Sequence, residues 1–161
     1  MAVIKHCMPL SLAVLAVATL LQLAGNAAAV DLCKGSDFKD RCRSDIKGAT
    51  DPTKATELAI KAMLMETTRV REAAKKIGKS QELDVCHEQI DDVFYNLNGA
   101  LEFLQNQDKG SLNIYLSAVL TDFMTCDDAY EEIGEKSPFA KIAQTAKEMA
   151  SNCLELASQI H

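Results

Sequence analysis

Leu83 to Ile133 reads LDVCHEQIDDVFYNLNGALEFLQNQDKGSLNIYLSAVLTDFMTCDDAYEEI. Apolar residues recur at Leu83, Cys86, Ile90, Val93, Leu97, Leu101 and Leu104, in steps alternating near three and four. That is the spacing of a helix packed along its whole length in a bundle. A polar turn over residues 106–110 interrupts the pattern, which resumes at Leu112, Leu116, Val119, Leu120, Phe123, Cys126, Tyr130 and Ile133. In an antiparallel pair of helices, residues equidistant from the turn face each other. The midpoint of Cys86 and Cys126 is position 106, where the turn is predicted, and both cysteines lie on the apolar stripes. A Cys86–Cys126 bridge between neighbouring antiparallel helices is therefore geometrically natural.

The same periodicity extends to both sides. Upstream, Ala55, Leu58, Ala59, Ala62, Met63, Val70, Ala73, Ala74 and Ile77 form a stripe. Asp51 stands before it as N-cap, Pro52 as first helical residue and Gly78 as C-terminal stop. Downstream, Gly134 ends the third stripe and Ser137-Pro138 restarts the chain. Phe139, Ile142, Ala146, Met149, Cys153, Leu156 and Ile160 make the fourth. Four amphipathic helices of about 20 to 27 residues, joined by short loops, predict an all-α, antiparallel up-down-up-down four-helix bundle. Asp31 to Gly48 is too short and apolar-poor to bury much alone. It reads as a helical hairpin clipped by a disulfide between Cys33 and Cys42.

Residues 1–29 have the pattern of a secretory signal peptide: Lys5 and His6, an uncharged apolar run from Leu10 to Leu23, then Ala27-Ala28-Ala29 as the cleavage site. Residues 30–161 are then one domain, with 16 basic and 23 acidic residues and a formal charge of −7. That balance argues against nucleic acid and anionic membrane as partners, since both require a basic face. Low aromatic content and abundant Ala, Leu, Lys and Glu argue against an all-β fold. Of the five cysteines left after processing, four are expected to pair in two disulfides in an oxidising compartment, with one left over.

No catalytic, metal or cofactor site is legible. The processed chain keeps only His87 and His161, and it lacks HExxH, GxSxG, a phosphate loop and a dinucleotide fingerprint. His87 beside Cys86 points about 100° away on a helix and reads as a surface histidine. The carboxylates Asp122, Asp127, Asp128, Glu131, Glu132 and Glu135 lack the spacing of a calcium loop. They read as a solvated face, with a patch for a basic protein as the alternative. Cys153 reads as a buried, inert free thiol. Tyr95 and Met124 stand off the stripes of two neighbouring helices, where they would contribute to a contact surface.

These residues resemble the plant invertase and pectin methylesterase inhibitor family over the whole processed chain, including its pollen-allergen branch of invertase-inhibitor-like proteins. The resemblance rests on Cys33 and Cys42 in a short hairpin and on Leu83-Asp-Val-Cys86. It is strongest in Ser111 through Asp128, which is similar to the family's S-A-A-L-x-x-x-x-T-C-x-D signature. Ser137-Pro138 and Ser151-Asn152-Cys153-Leu154 resemble its last helix.

The resemblance implies pairing of Cys33 with Cys42 and of Cys86 with Cys126, Cys153 free, and a secreted monomeric inhibitor of the apoplast, with the vacuole as alternative. Its implied action is one-to-one occlusion of the active-site cleft of a cell-wall enzyme. Pectin methylesterase is favoured over acid invertase. Where invertase inhibitors carry Pro-Lys-Phe, this chain has Lys109-Gly110-Ser111, and Asp108 to Asn113 is closer to the D-Y-x-S-L-N turn of pectin methylesterase inhibitors. Val119 and Gln89-Ile90 also depart from the family pattern. Partner contacts are expected on the second and third bundle helices, around Asn113, Ser117, Thr121, Asp122 and Thr125. A helical-bundle carrier without an enzyme target is the remaining alternative.

Overall fold

The computed structural model describes residues 30–161, so the expected signal peptide lies outside the described residues. Five helices follow in order: α1 (Lys39–Ile46), α2 (Pro52–Ala74), α3 (Gln81–Gln105), α4 (Lys109–Glu131) and α5 (Ala140–Ser158). Helices α2 to α5 form a ring in which each packs against the next and α5 closes onto α2. The α3–α4 pair and the α2–α5 pair are therefore opposite sides of the bundle. Helix α1 lies on α2 and α5.

Local chemistry sets the helix ends. The Asp51 side chain accepts from the Lys54 N–H at 2.7 Å, and Pro52 occupies the first turn. Ser80 accepts from the Leu83 N–H at 3.1 Å, and Asp108 from the Ser111 N–H at 3.0 Å. Each cap satisfies a donor that the first turn leaves unpaired. Helix α3 ends in a paired-bond stop, Gln107 N–H to Leu104 O (3.2 Å) and Asp108 N–H to Phe103 O (2.9 Å). This arrangement needs a left-handed residue, supplied by Gln107 at φ 59°. An L side chain is strained there, so Gln107→Gly is expected to raise unfolding free energy by about 0.5–1 kcal/mol, read by urea denaturation.

Several boundaries differ from the sequence reading. Helix α2 ends at Ala74, and the Lys76 and Ile77 N–H groups bond three residues back in a tapering last turn. Gly78 is not the stop. Gly110 and Lys109 lie inside the first turn of α4, so the connection is shorter than 106–110. Ser137 accepts from the Phe139 N–H at 3.2 Å, but α5 starts only at Ala140 because Ser137–Phe139 form a separate turn. Gly134, at φ 73°, does terminate α4, with its N–H on Glu131 O and the Glu135 N–H on Tyr130 O.

The core follows the stripes closely in α3 and α4: Leu83, Cys86, Ile90, Val93, Leu97, Ala100 and Leu104 face Leu112, Leu116, Val119, Phe123, Cys126 and Tyr130. Leu101 and Leu120 are only half-buried, and Ile77 and Ile133 are exposed. The hairpin has a helix as its second arm only. Its first arm is two turns, Lys34 N–H to Asp31 O and Ser36 N–H to Cys33 O. Buried Asn152 of α5 holds this arm, accepting from the Ser36 hydroxyl and donating to Phe38 O at 3.3 Å. Gln159 adds a bond to Leu32 O at 2.8 Å.

Candidate functional site: the outer face of α3 and α4

Disulfides join Cys33 to Cys42 and Cys86 to Cys126, with Cα–Cα separations of 5.8 and 4.6 Å. The second lies between α3 and α4, at the end where α3 begins and α4 finishes. The Asp108 cap and the tight stop at Gln107 hold the other end. Both ends of the α3–α4 seam are thus covalently or conformationally fixed, so what lies on its outer face is held in register.

Asn113, Ser117, Thr121 and Thr125 repeat at intervals of four, and therefore form one ridge along the solvent side of α4. Asn113 and Thr125 are twelve residues apart, about 18 Å along the axis, so they form a line and not a pocket. The hydroxyls of Thr121 and Thr125 donate to carbonyls one turn back, Ser117 O at 3.3 Å and Thr121 O at 3.0 Å. Asp122 turns away from this ridge toward α3, where its carboxylate accepts from Asn96 Nδ2 at 2.9 Å. Burial pushes the Asp122 carboxyl above its ordinary range; the Asn96 bond opposes this, and the charge of Asp92 adds to it.

Beside Asp122 runs a feature the sequence reading found only in part. Tyr95, 68% exposed, lies 6.1 Å from the Tyr115 ring, which lies 4.9 Å from Phe103. The three rings form a rail along the seam, with Ile114 exposed at its edge. Tyr115 lies this close to α3 because position 99 is glycine: a Cβ there would be 2.4 Å from Tyr115 Cε1. Gly99→Ala gains about 1 kcal/mol of helix propensity but loses the stacking on Phe103, worth a similar amount. The expected outcome is nearly unchanged stability with a Tyr115 ring displaced into solvent, measured by tyrosine fluorescence quenching.

The electrostatics of this face are one-sided. Residues 81–131 carry eleven acidic residues and a single lysine, Lys109. Lys109 is committed to Ile160 O at 2.7 Å, and Asp127 is paired with Lys147 of α5. Asp128, Glu131, Glu132 and Glu135 are exposed near the C-terminus of α4, where the helix dipole disfavours negative charge. His87 is half-buried on α3. Cys153 is fully buried in α5, and burial pushes its thiol far above the ordinary range, which leaves it unreactive. Among the described residues no three metal-ligating side chains converge, and no helix is long and apolar enough to cross a membrane.

Known proteins share this architecture. A pectin methylesterase inhibitor from Arabidopsis, in a mutant form, superposes with a TM-score of 0.70 at 16% identity, covering 81% of this chain and 95% of that one. A second Arabidopsis pectin methylesterase inhibitor structure gives a TM-score of 0.64 at 15% identity, covering 85% and 98%. By sequence, the Arabidopsis thaliana protein Pectinesterase 1 is 27% identical over 160 residues, covering 80% of this chain and 27% of that protein. Probable pectinesterase/pectinesterase inhibitor 23 from Arabidopsis thaliana is 25% identical over 149 residues, covering 80% and 26%. The chain thus spans about a quarter of the length of the curated relatives it matches. The family model for plant invertase/pectin methylesterase inhibitors matches residues 27–156, and with the shared five-helix fold this establishes that the chain belongs to the plant invertase/pectin methylesterase inhibitor family.

Proposed function

We propose that the chain is a secreted inhibitor of pectin methylesterase, formed by residues 30–161 after removal of residues 1–29. It acts as a monomer in the cell wall, docking the outer face of α3 and α4 over the enzyme's active-site cleft in a one-to-one complex. The observation that carries this reading is the fixed α3–α4 seam, where a half-buried aromatic rail ending in exposed Tyr95 and a polar ridge lie together on a strongly acidic face. Rigid aromatic side chains supply contact area at little entropic cost, and they are enriched in well-packed interfaces. The acidic field steers a partner with a basic rim and raises its association rate at low salt.

The position of Lys109-Gly110-Ser111 favours the esterase over invertase as target. These residues form the first turn of α4, hydrogen-bonded onto the Asp108 cap. They are not a free loop able to enter a cleft.

Charge reversal at Asp122, which is half-buried beside the rail, tests the face. Asp122→Lys is expected to weaken inhibition about tenfold, or roughly 1.4 kcal/mol, while the melting temperature changes little. Equal inhibition by Asp122→Lys, Thr121→Arg and Tyr95→Ala variants would place the interface elsewhere on the bundle.

A further inference from the structure

The side of the molecule opposite the α3–α4 face has the reverse charge. Residues 30–76 carry eleven basic and eight acidic residues. Between α1 and α2 they enclose a groove of about 310 Å³, with Arg41 and Lys47 from the hairpin and Lys61 and Arg69 from α2 on its walls. Lys61 and Arg69 are paired only with Glu57 and Glu66 on their own helix. The cationic ends of both pairs are open to solvent, and ion pairs in contact with water are weak. Leu58, Ala62 and Met65 give the groove an apolar lining, and Met65 is 62% exposed.

Asp45 also lines this groove. It is buried, and its Oδ2 has no hydrogen-bond partner. Its surroundings are Arg41 on α1 and Lys47 just after it, Lys61, Glu66 and Arg69 on α2, and the uncharged Met149 and Cys153 on α5. With Asp45 neutral, Glu66 is the one charged carboxylate left on the lining, against four cationic side chains over an apolar floor. That combination matches a sugar acid: carboxylates for the cations and C–H faces for the apolar lining.

We propose that the groove between α1 and α2 binds an acidic, uronate-bearing oligosaccharide, with Arg41, Lys47, Lys61 and Arg69 taking its carboxylates. This deepens the proposed function and rests on it, because an esterase acting on pectin leaves a chain of free carboxylates. The inhibitor would thereby be held on de-esterified pectin by one side while the opposite side engages the enzyme. Acidification favours the complex: burial raises the Asp45 carboxyl to about 6, so it becomes neutral within the mildly acidic range.

The test is calorimetric titration, without enzyme, of the chain secreted from a eukaryotic host with decameric oligogalacturonate at pH 5.0 and pH 7.5. Binding is expected at both, several-fold tighter at pH 5.0, and at least tenfold weaker in an Arg41→Gln, Lys61→Gln, Arg69→Gln variant. Asp45→Asn is expected to bind with nearly the same affinity at the two pH values. Absence of binding would overturn the proposal. So would unchanged binding by the triple variant, or equal binding of the methyl-esterified decamer or of poly-L-glutamate. Esterase inhibition by the triple variant is measured separately, so failure of this site and failure of the inhibitor reading give different results.

Discussion

Replacing Cys86 and Cys126 together by serine is expected to lower the unfolding free energy by about 4 kcal/mol. Breaking that bridge frees a loop of 41 residues in the unfolded chain, and the chain-entropy relation assigns about 4 kcal/mol to a loop of this length. The Cys33–Cys42 clip closes a loop of only 10 residues, for which the same relation gives about 2.7 kcal/mol. Urea denaturation of the two double variants should reproduce this order, with the long-loop variant the less stable. The functional effect should be larger still for Cys86 and Cys126, because that bridge pins one end of the seam under Tyr95, Tyr115 and Asp122. Equal stability losses, or inhibition surviving at temperatures where the variant seam has opened, would contradict this role.

The second large effect concerns Asp45 and pH. Burial raises its carboxyl from the ordinary 3.8 to about 6, against the pull of Arg41 and with the charge of Glu66 adding. Between those two values the folded chain binds a proton that the unfolded chain has released, so stability falls as pH rises through this window. Above pH 6 the full cost is present; below pH 4 it is absent. A shift of about two units corresponds to about 3 kcal/mol. Asp45→Asn is therefore expected to stabilise the protein by up to about 3 kcal/mol at pH 7.5 and to leave it unchanged at pH 4. Glu57, held down to about 2 by Lys54 and Lys61, contributes stability that is lost as pH falls below about 4.5, but it does so in parent and variant alike, so the difference between them reports Asp45. Parallel denaturation profiles of parent and variant across pH 4–7.5 would refute the assignment.

Helices α3 and α4 were legible because their core positions are nearly all large and apolar, so composition and spacing agree. The midpoint of Cys86 and Cys126 located their turn as well. In helix α2 the expected stripe holds at Ala55, Ala59, Met63, Val70 and Ala74, but it includes half-buried Leu58, Ala62 and Ala73 and leaves out Thr56, Ile60 and Thr67, which are buried, and two of these three are threonines. Each threonine hydroxyl donates to the carbonyl four residues back, Pro52 O at 2.8 Å and Met63 O at 2.9 Å. A hydroxyl satisfied in this way is compatible with the core, but it looks polar in a hydropathy pattern.

Asn152 was hidden for the same reason, since the partners that bury it lie more than a hundred residues away. Asp45 is not legible in the sequence because a carboxylate on a charged, apolar-poor segment reads as solvated until α1 is placed against α2. The aromatic rail was within reach. Gly99 and Tyr115 have their midpoint at 107, one position from that of the two cysteines, and a glycine inside a helix opposite a tyrosine marks a close approach.

The most direct test is titration of the secreted, oxidised chain against purified plant pectin methylesterase and acid invertase in parallel, at mildly acidic pH, with residual activity as readout. Esterase activity is expected to fall to an endpoint at one inhibitor per enzyme while invertase is unaffected. Undiminished esterase activity in the presence of excess inhibitor would contradict it.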